Sequence, residues 1–204
     1  MTDEIIPAIR DIYAMYGIKS VTMDDLAREL GVSKKTLYEH FSDKEEVVRK
    51  VIDFMITEHQ TAYESIIDQP GTNAIDELLL LSRFISEQLK SINPSFSYDL
   101  KKYYPGVWNH LLNYKSQTVF KQIMANISKG VKEGLFLENL KYEIIAHVYV
   151  SRMDLFSPGG LPELETFSFH EVFRTLFEYH VRGISNERGQ QYLQGLLKSS
   201  EKQS

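Results

Sequence analysis

The sequence predicts an all-α chain, and three observations carry that prediction. Apolar residues recur at i, i+3, i+4 spacing along most of the 204 residues, while the alternating runs rich in Val, Ile and Thr that mark strands are almost absent. Helix-start and helix-stop residues recur in pairs, four of which fall within the first seventy positions. Composition is the third observation: 43% hydrophobic and 25% charged residues can build a core and argue against disorder along the whole chain.

The first helix can be capped by Thr2 or Asp3 and tolerates Pro7 near its first turn; Ile5, Ile9, Ile12, Tyr13 and Tyr16 form its buried stripe before Gly17 stops it. Thr22 and Asp25 have the spacing of a capping box, so a second helix starts there, buries Leu26, Ala27 and Leu30, and ends at a left-handed Gly31. Ser33 caps a short third helix from Lys34 to Phe41. Ser42 with Glu45 repeats the capping pattern and opens a long fourth helix reaching about Asp68, ahead of Pro70 and Gly71. Beyond that break, helices are expected over about 73–92, 95–104, 107–133, 139–156 and 164–183. The segment SPGGLP at 157–162 reads as a loop, 186–199 as a last polar helix, and the closing EKQS as frayed. No internal repeat or low-complexity tract interrupts this layout.

Several function classes are excluded or weakened early. A net charge of −5 and a pI near 5.7 are wrong for a general polyanion coat, so any nucleic-acid contact must be local. Even the first 52 residues carry eight basic and ten acidic side chains, a net of −2, so charge alone gives no reason to expect DNA binding. Without cysteine there are no disulfides, thiolate nucleophiles or cysteine zinc sites. The longest aliphatic run, Leu78 to Leu81, is far short of the roughly 20 residues of a membrane span. Together with an acidic N-terminus, it makes the cytoplasm the expected location and a membrane an unexpected partner.

Motifs for metalloproteases, phosphate loops, dinucleotide binding and nucleophile elbows are absent. His59, His110, His147, His170 and His180 are spread singly, and the glycines of SPGGLP are followed by Glu163 and Glu165, which do not suit a phosphate cradle. No catalytic residue, metal or cofactor is expected.

The informative stretch is Leu30 to Glu46. Two helices joined through Gly31 and Val32 have helix-turn-helix spacing, with Leu26, Ala27, Leu30, Val32, Leu37 and Phe41 facing inward. The small Ala27 lets the second helix of the pair cross closely. Lys34, Lys35, Thr36, Tyr38 and His40 are not needed for that core. Ser33, Lys34 and Lys35 stand at the helix amino end, which major-groove readers present to base edges and phosphates, and Lys44 adds a cation nearby.

With Gly17, Thr22, Asp25-Leu26-Ala27, Leu30-Gly31-Val32-Ser33, Thr36-Leu37-Tyr38, His40-Phe41 and Lys44-Glu45, about the first fifty residues resemble the N-terminal signature of TetR-type transcriptional regulators. The resemblance implies a helix-turn-helix DNA-binding domain over residues 1–46 and a helical effector-binding and dimerisation domain over 47–204. It implies a ligand-responsive regulator, with repression the expected outcome, that binds a palindromic double-stranded operator as a homodimer. Residues matching Thr22, Thr36, Tyr38, His40 and Lys44 commonly hold phosphates in the family, and those matching Lys34 and Lys35 lie where bases can be read. Tyr13 stands where the family more often has phenylalanine, and Asp24, Asp25 and Glu39 add acid around the reading helix. The competing expectation is a helical small-molecule-binding or protein-interaction module that does not use this motif on DNA.

Two further regions belong to the body. Ile144, Ile145, Val148 and Tyr149, with Val172, Phe173, Leu176, Phe177 and His180, form apolar stripes that suit a dimer interface or equally a monomer's core; the family resemblance favours the interface. The aromatic-rich stretch from Phe84 to Phe136, which includes Phe96 and Tyr114, suits either a pocket for a small apolar or aromatic effector or an ordinary core. Phe84, Tyr104, Trp108 and Phe120 are its pocket candidates.

Overall fold

The computed structural model of the chain describes residues 2–90, 92–152 and 166–201. Its elements are helices in the order α1 (Thr2–Tyr16), α2 (Met23–Glu29), α3 (Lys34–His40), α4 (Lys44–Ile67), α5 (Ala74–Lys90), α6 (Ser95–Tyr103) and α7 (Pro105–Tyr114). A π-helical turn (Lys115–Val119) then leads into α8 (Phe120–Lys132), α9 (Tyr142–Arg152), α10 (Phe169–Ile184) and α11 (Glu187–Glu201). The pairing Phe136 with Ser185 is an isolated β-bridge. The all-α expectation holds.

The amino-terminal helices form because their ends are chemically marked. Thr22 and Asp25 make the full capping box: the Thr22 hydroxyl accepts from the Asp25 N–H at 3.1 Å, and the Asp25 carboxylate accepts from the Thr22 N–H at 2.9 Å. At the other end of α2, the Val32 N–H reaches the Ala27 carbonyl at 3.0 Å and the Gly31 N–H reaches Arg28 at 3.2 Å. That paired closure needs the positive φ of 67° that Gly31 adopts. Ser33 caps α3 through the Thr36 N–H at 3.0 Å.

Details differ from the sequence reading where two capping residues adjoin or where neighbours decide burial. Asp43, not Ser42, caps α4: its carboxylate accepts from the Glu46 N–H at 2.9 Å, while Ser42 bonds Glu46 through its own N–H and hydroxyl. On α1, Ile6 is buried and Tyr16 is 54% exposed, because the stripe that meets the core runs through Ile6, Ile9 and Tyr13. The helix expected over 107–133 starts at Pro105 and is interrupted by the π-helical turn. Ser168 with Glu171 caps α10, which continues through Gly183 to Ile184. The expected loop 157–162 and residues 202–204 lie outside the described residues.

One core joins the first three helices to α4, α6 and α7. Ile9, Tyr13, Ile18, Leu26, Leu37 and Phe41 pack with Val47, Val51 and Ile52 of α4, and then with Phe96, Leu100 and Val107. A second core holds Ala74, Ile75, Phe136, Phe177, Val181 and Leu193, and a third holds Val119, Ile123, Ile127 and Ala146. At 24 residues, or about 36 Å, α4 is the strut that runs from α1 to α5 and α7.

Candidate DNA-binding face and ligand cavity

On α3 the inward Leu37 is fully buried, while Ser33, Lys34, Lys35 and Glu39 are exposed and Tyr38 is 44% exposed. Thr36 and His40 are half-buried. The structure therefore keeps the amino end and outer side of α3 in solvent.

The charges on this face are partly answered within the chain. The Lys34 ammonium lies 2.7 Å from an Asp24 oxygen, which raises its pKa, and Lys35 sits 3.9 Å from Glu39. Such exposed pairs are worth little and exchange readily, so both cations can be taken over by a stronger anion. The Thr22 hydroxyl donates to Asp25 at 2.7 Å in addition to accepting its N–H. The Thr22 hydroxyl, then its backbone N–H, then Arg28 at 2.6 Å hold the Asp25 carboxyl down at about 2. Half-buried Lys44 donates to the Ile18 carbonyl at 2.6 Å, and burial lowers its pKa; it ties α4 to the α1–α2 connection with part of its ammonium still in solvent.

That connection is clamped from the other side by α6. Buried Asp99 accepts from the Lys19 N–H at 2.9 Å, and the Asn93 amide donates to the Met15 carbonyl at 3.1 Å. Gly17, at φ 80°, passes so close to Ser95 that a Cβ would stand 2.4 Å from its hydroxyl oxygen. Arg10 of α1 meets Glu58 of α4 at 2.7 Å and stacks over Phe54. None of these partners was visible in the sequence, since the groups lie tens of residues apart and carry no motif.

A cavity of about 170 Å³ opens between α4, α5, α6 and α7, with Ile52, Met55, Phe84, Leu89, Phe96 and Trp108 among its mostly apolar lining. Of the four pocket candidates, Phe84 and Trp108 line it. Tyr104 packs against the first core instead, and Phe120 stacks on His147 with ring centroids 4.4 Å apart. His59, read from the sequence as a lone packed or surface histidine, is a wall residue bonded through Nδ1 to the Tyr114 hydroxyl at 2.7 Å. His110 has a carboxylate partner, Asp53, at 2.8 Å. Among the described residues, no group of three His, Asp or Glu could hold a metal ion, and no helix is long and apolar enough to cross a membrane.

On α9 and α10, Ile144 and Val148 are 58% and 45% exposed, and Tyr179, which the sequence reading passed over, is 72% exposed. Ile145, Tyr149, Val172, Phe173 and Leu176 are half-buried. The Tyr149 and His180 rings meet at a tilt, centroids 4.3 Å apart, and burial pushes His180 down to about 4, which keeps it neutral. Phe177 lies inside the chain's own second core, because its side of α10 faces α5.

Comparison with known proteins agrees with this architecture. Residues 5–51 match the family model described as bacterial regulatory proteins, tetR family. The chain is 25% identical to the uncharacterized HTH-type transcriptional regulator YvaF of Bacillus subtilis (strain 168), over 81% of this chain and 86% of that protein. It is 24% identical to the HTH-type transcriptional repressor KstR2 of Rhodococcus jostii (strain RHA1), over 69% and 70% of the two chains. The fold is shared with a transcriptional regulator from Cytophaga hutchinsonii ATCC 33406, with a TM-score of 0.67 at 20% identity over 90% of this chain and 98% of that one. Over residues 5–51 the chain carries the amino-terminal domain of the tetR family of bacterial regulatory proteins, and its helical body shares the fold of solved regulators of that family.

Proposed function

We propose that this regulator is a cytoplasmic repressor that binds a palindromic operator as a homodimer and leaves it when a small, largely apolar or aromatic effector enters the body. The division of labour is a DNA-binding head at 1–46 and an effector and dimer body at 47–204. The observation that carries the reading is the solvent-facing amino end of α3, where Ser33, Lys34, Lys35 and Tyr38 surround a fully buried Leu37. Lys34 and Lys35 are assigned to base edges, and Thr22, Thr36, Tyr38, His40 and Lys44, with the α3 amino end at Ser33, to the phosphate backbone. A relative named as a repressor supports that direction of control.

Two heads on one frame gain from effective concentration, and half-sites one turn apart, about 34 Å, suit that geometry. The exposed Ile144, Val148 and Tyr179 supply the face for the second copy, each worth about 1.5–3 kcal/mol if fully covered. The cavity gives the effector its leverage. Its walls include Ile52 and Glu58 of α4 and Leu100 of α6, and those same helices hold α1 and the α1–α2 connection through Arg10, Lys44 and Asp99. An effector that prefers one tilt of α4 and α6 re-aims the two α3 helices, and a coupling of about 1–3 kcal/mol lowers operator affinity about 5- to 150-fold.

The test is equilibrium binding of the purified protein to duplexes that flank its own coding region, against random duplex of equal length and over several salt concentrations. The expected result is a discrete site bound by two protomers with a steep salt slope. Equal affinity for every duplex contradicts the proposal.

A further inference from the structure

Behind the apolar cavity lies a second, smaller one of about 40 Å³, and the two meet at His59, Ile85 and Val119. Both linings are mostly apolar, but a larger share of the smaller one's side chains is polar. Tyr63, Glu77, Gln122 and Asn126 help to line the small chamber. Three polar atoms of its lining are buried with no hydrogen-bond partner: His59 Nε2, Gln122 Oε1 and Asn126 Oδ1. Buried polar groups are nearly always satisfied, so three orphans on one small cavity are a signal.

The Asn126 orientation is fixed. Its amide nitrogen donates to the Ala74 carbonyl and to a Glu77 oxygen, both at 2.9 Å, so a flip would set oxygen against oxygen and the outward atom must be an acceptor. Asn126 is only 7% exposed, so bulk water does not serve that acceptor. Glu77, the charged residue of the lining, is itself neutralised by Lys129 at 2.5 Å, which leaves the chamber no unanswered charge to hold a cation or an anion.

We infer that the effector is an elongated amphipathic molecule whose ring or alkyl part fills the larger chamber. Its uncharged hydroxyl or amide end donates to Asn126 Oδ1 in the smaller one, beside the Gln122 amide. This rests on the cavity being the effector site. A hydroxyl suits it well, because it donates to Asn126 and accepts from His59 Nε2–H, the tautomer in which Nδ1 accepts from the Tyr114 hydroxyl. A chamber of about 150 Å³ accepts a benzene-sized group, so the larger one holds one ring and the smaller one a head about the size of a water molecule. Sites built to hydrogen-bond a hydroxyl reject analogues that lack it more strongly than apolar pockets reject a missing methylene.

The chain has a single tryptophan, Trp108, and it lines the larger chamber, so intrinsic fluorescence reports occupancy without DNA. The probes are ω-phenylalkan-1-ols with three to six methylenes, the alkylbenzenes of matching length and the matching ω-phenylalkanoates, titrated into the full-length protein. At least one alkanol should bind at least about tenfold more tightly than its alkylbenzene and carboxylate counterparts. In Asn126→Leu that preference should collapse while the alkylbenzene affinity stays. Since Asn126 also ties α8 to α5, Gln122→Met serves as the second variant and should reduce the alkanol preference several-fold. Equal affinities for alkanol and alkylbenzene, tightest binding of the alkanoate, or no binding by any series overturns the inference. A retained alkanol preference with no loss of operator binding would instead overturn the regulatory reading and leave the chamber assignment standing.

Discussion

The outer side of α3 and the outer side of α9 and α10 are both solvent-facing, but they differ in chemistry. On α3 the exposed groups are Ser33, Lys34, Lys35, Tyr38 and Glu39, mostly polar or charged side chains that water solvates at little cost. On α9 and α10 the exposed polar groups, among them Glu143, His147 and Arg174, are joined by the aliphatic Ile144 and Val148, which water solvates poorly, and by Tyr179. A surface of the first kind can trade its ion pairs for phosphates and trade them back, with an affinity that salt tunes. The second kind gains from being covered for good. On the proposed reading, the first surface is a reversible contact and the second a lasting one.

Breaking the lasting contact should have the larger effect. Replacing Ile144 and Val148 together by Glu is expected to give monomers in light scattering and to cost about 10²- to 10⁴-fold in operator affinity, the range that linked binding supplies. Reversing charge on the other face, with Lys34 and Lys35 both changed to Glu, should lower operator affinity about 100-fold, since a lost base or phosphate contact costs about 1–3 kcal/mol. The dimer and its melting temperature should not move, and a fall in either would mean that α3 holds the protein together.

Tyr38→Phe should weaken all duplexes alike, about two- to tenfold, if its hydroxyl meets only a phosphate. A loss confined to particular sequences, seen by competition binding, would make Tyr38 a base reader. Removing a cap acts on the head's folding as well as on its contacts. Thr22→Ala should cost about 1 kcal/mol and lower the melting temperature by about 2–4 °C.

The pH dependence is smaller and has a definite sign. Asp25 is held at about 2 against an ordinary 3.8, so its stabilisation is fully present above 3.8 and fades as pH falls from there to 2. Melting followed by circular dichroism should drop across that window. Asp25→Asn should start lower at neutral pH and lose less over it.

The same contrast explains what the sequence could and could not reveal. The α2–α3 region is legible because its determinants are local: Thr22 to Asp25, Gly31, and Ser33 to Thr36 all act within three or four residues. Where two local signals adjoin, the reading slips by one, as with Ser42 and Asp43. The body is set by packing instead. Composition marked an aromatic region, but only tertiary structure turns Phe84 and Trp108 into the cavity, Tyr104 toward the first core and Phe120 onto His147. Asp99 to Lys19, His59 to Tyr114 and Asn126 to Ala74 join residues 80, 55 and 52 apart. A polar residue among the buried Ile123, Ile127 and Gly130 of α8 was the one available hint that Asn126 has work inside.

The central claim is that a paired frame presents two α3 helices to one duplex. Because the chain has no cysteine, a nitroxide on Glu39→Cys labels each protomer once on the exposed side of α3. Pulsed dipolar spectroscopy on the operator complex should give a narrow distance near one DNA turn, about 34 Å, that shifts when effector is added. No dipolar coupling, or a distance that matches neither one turn nor a multiple of it, would contradict the account.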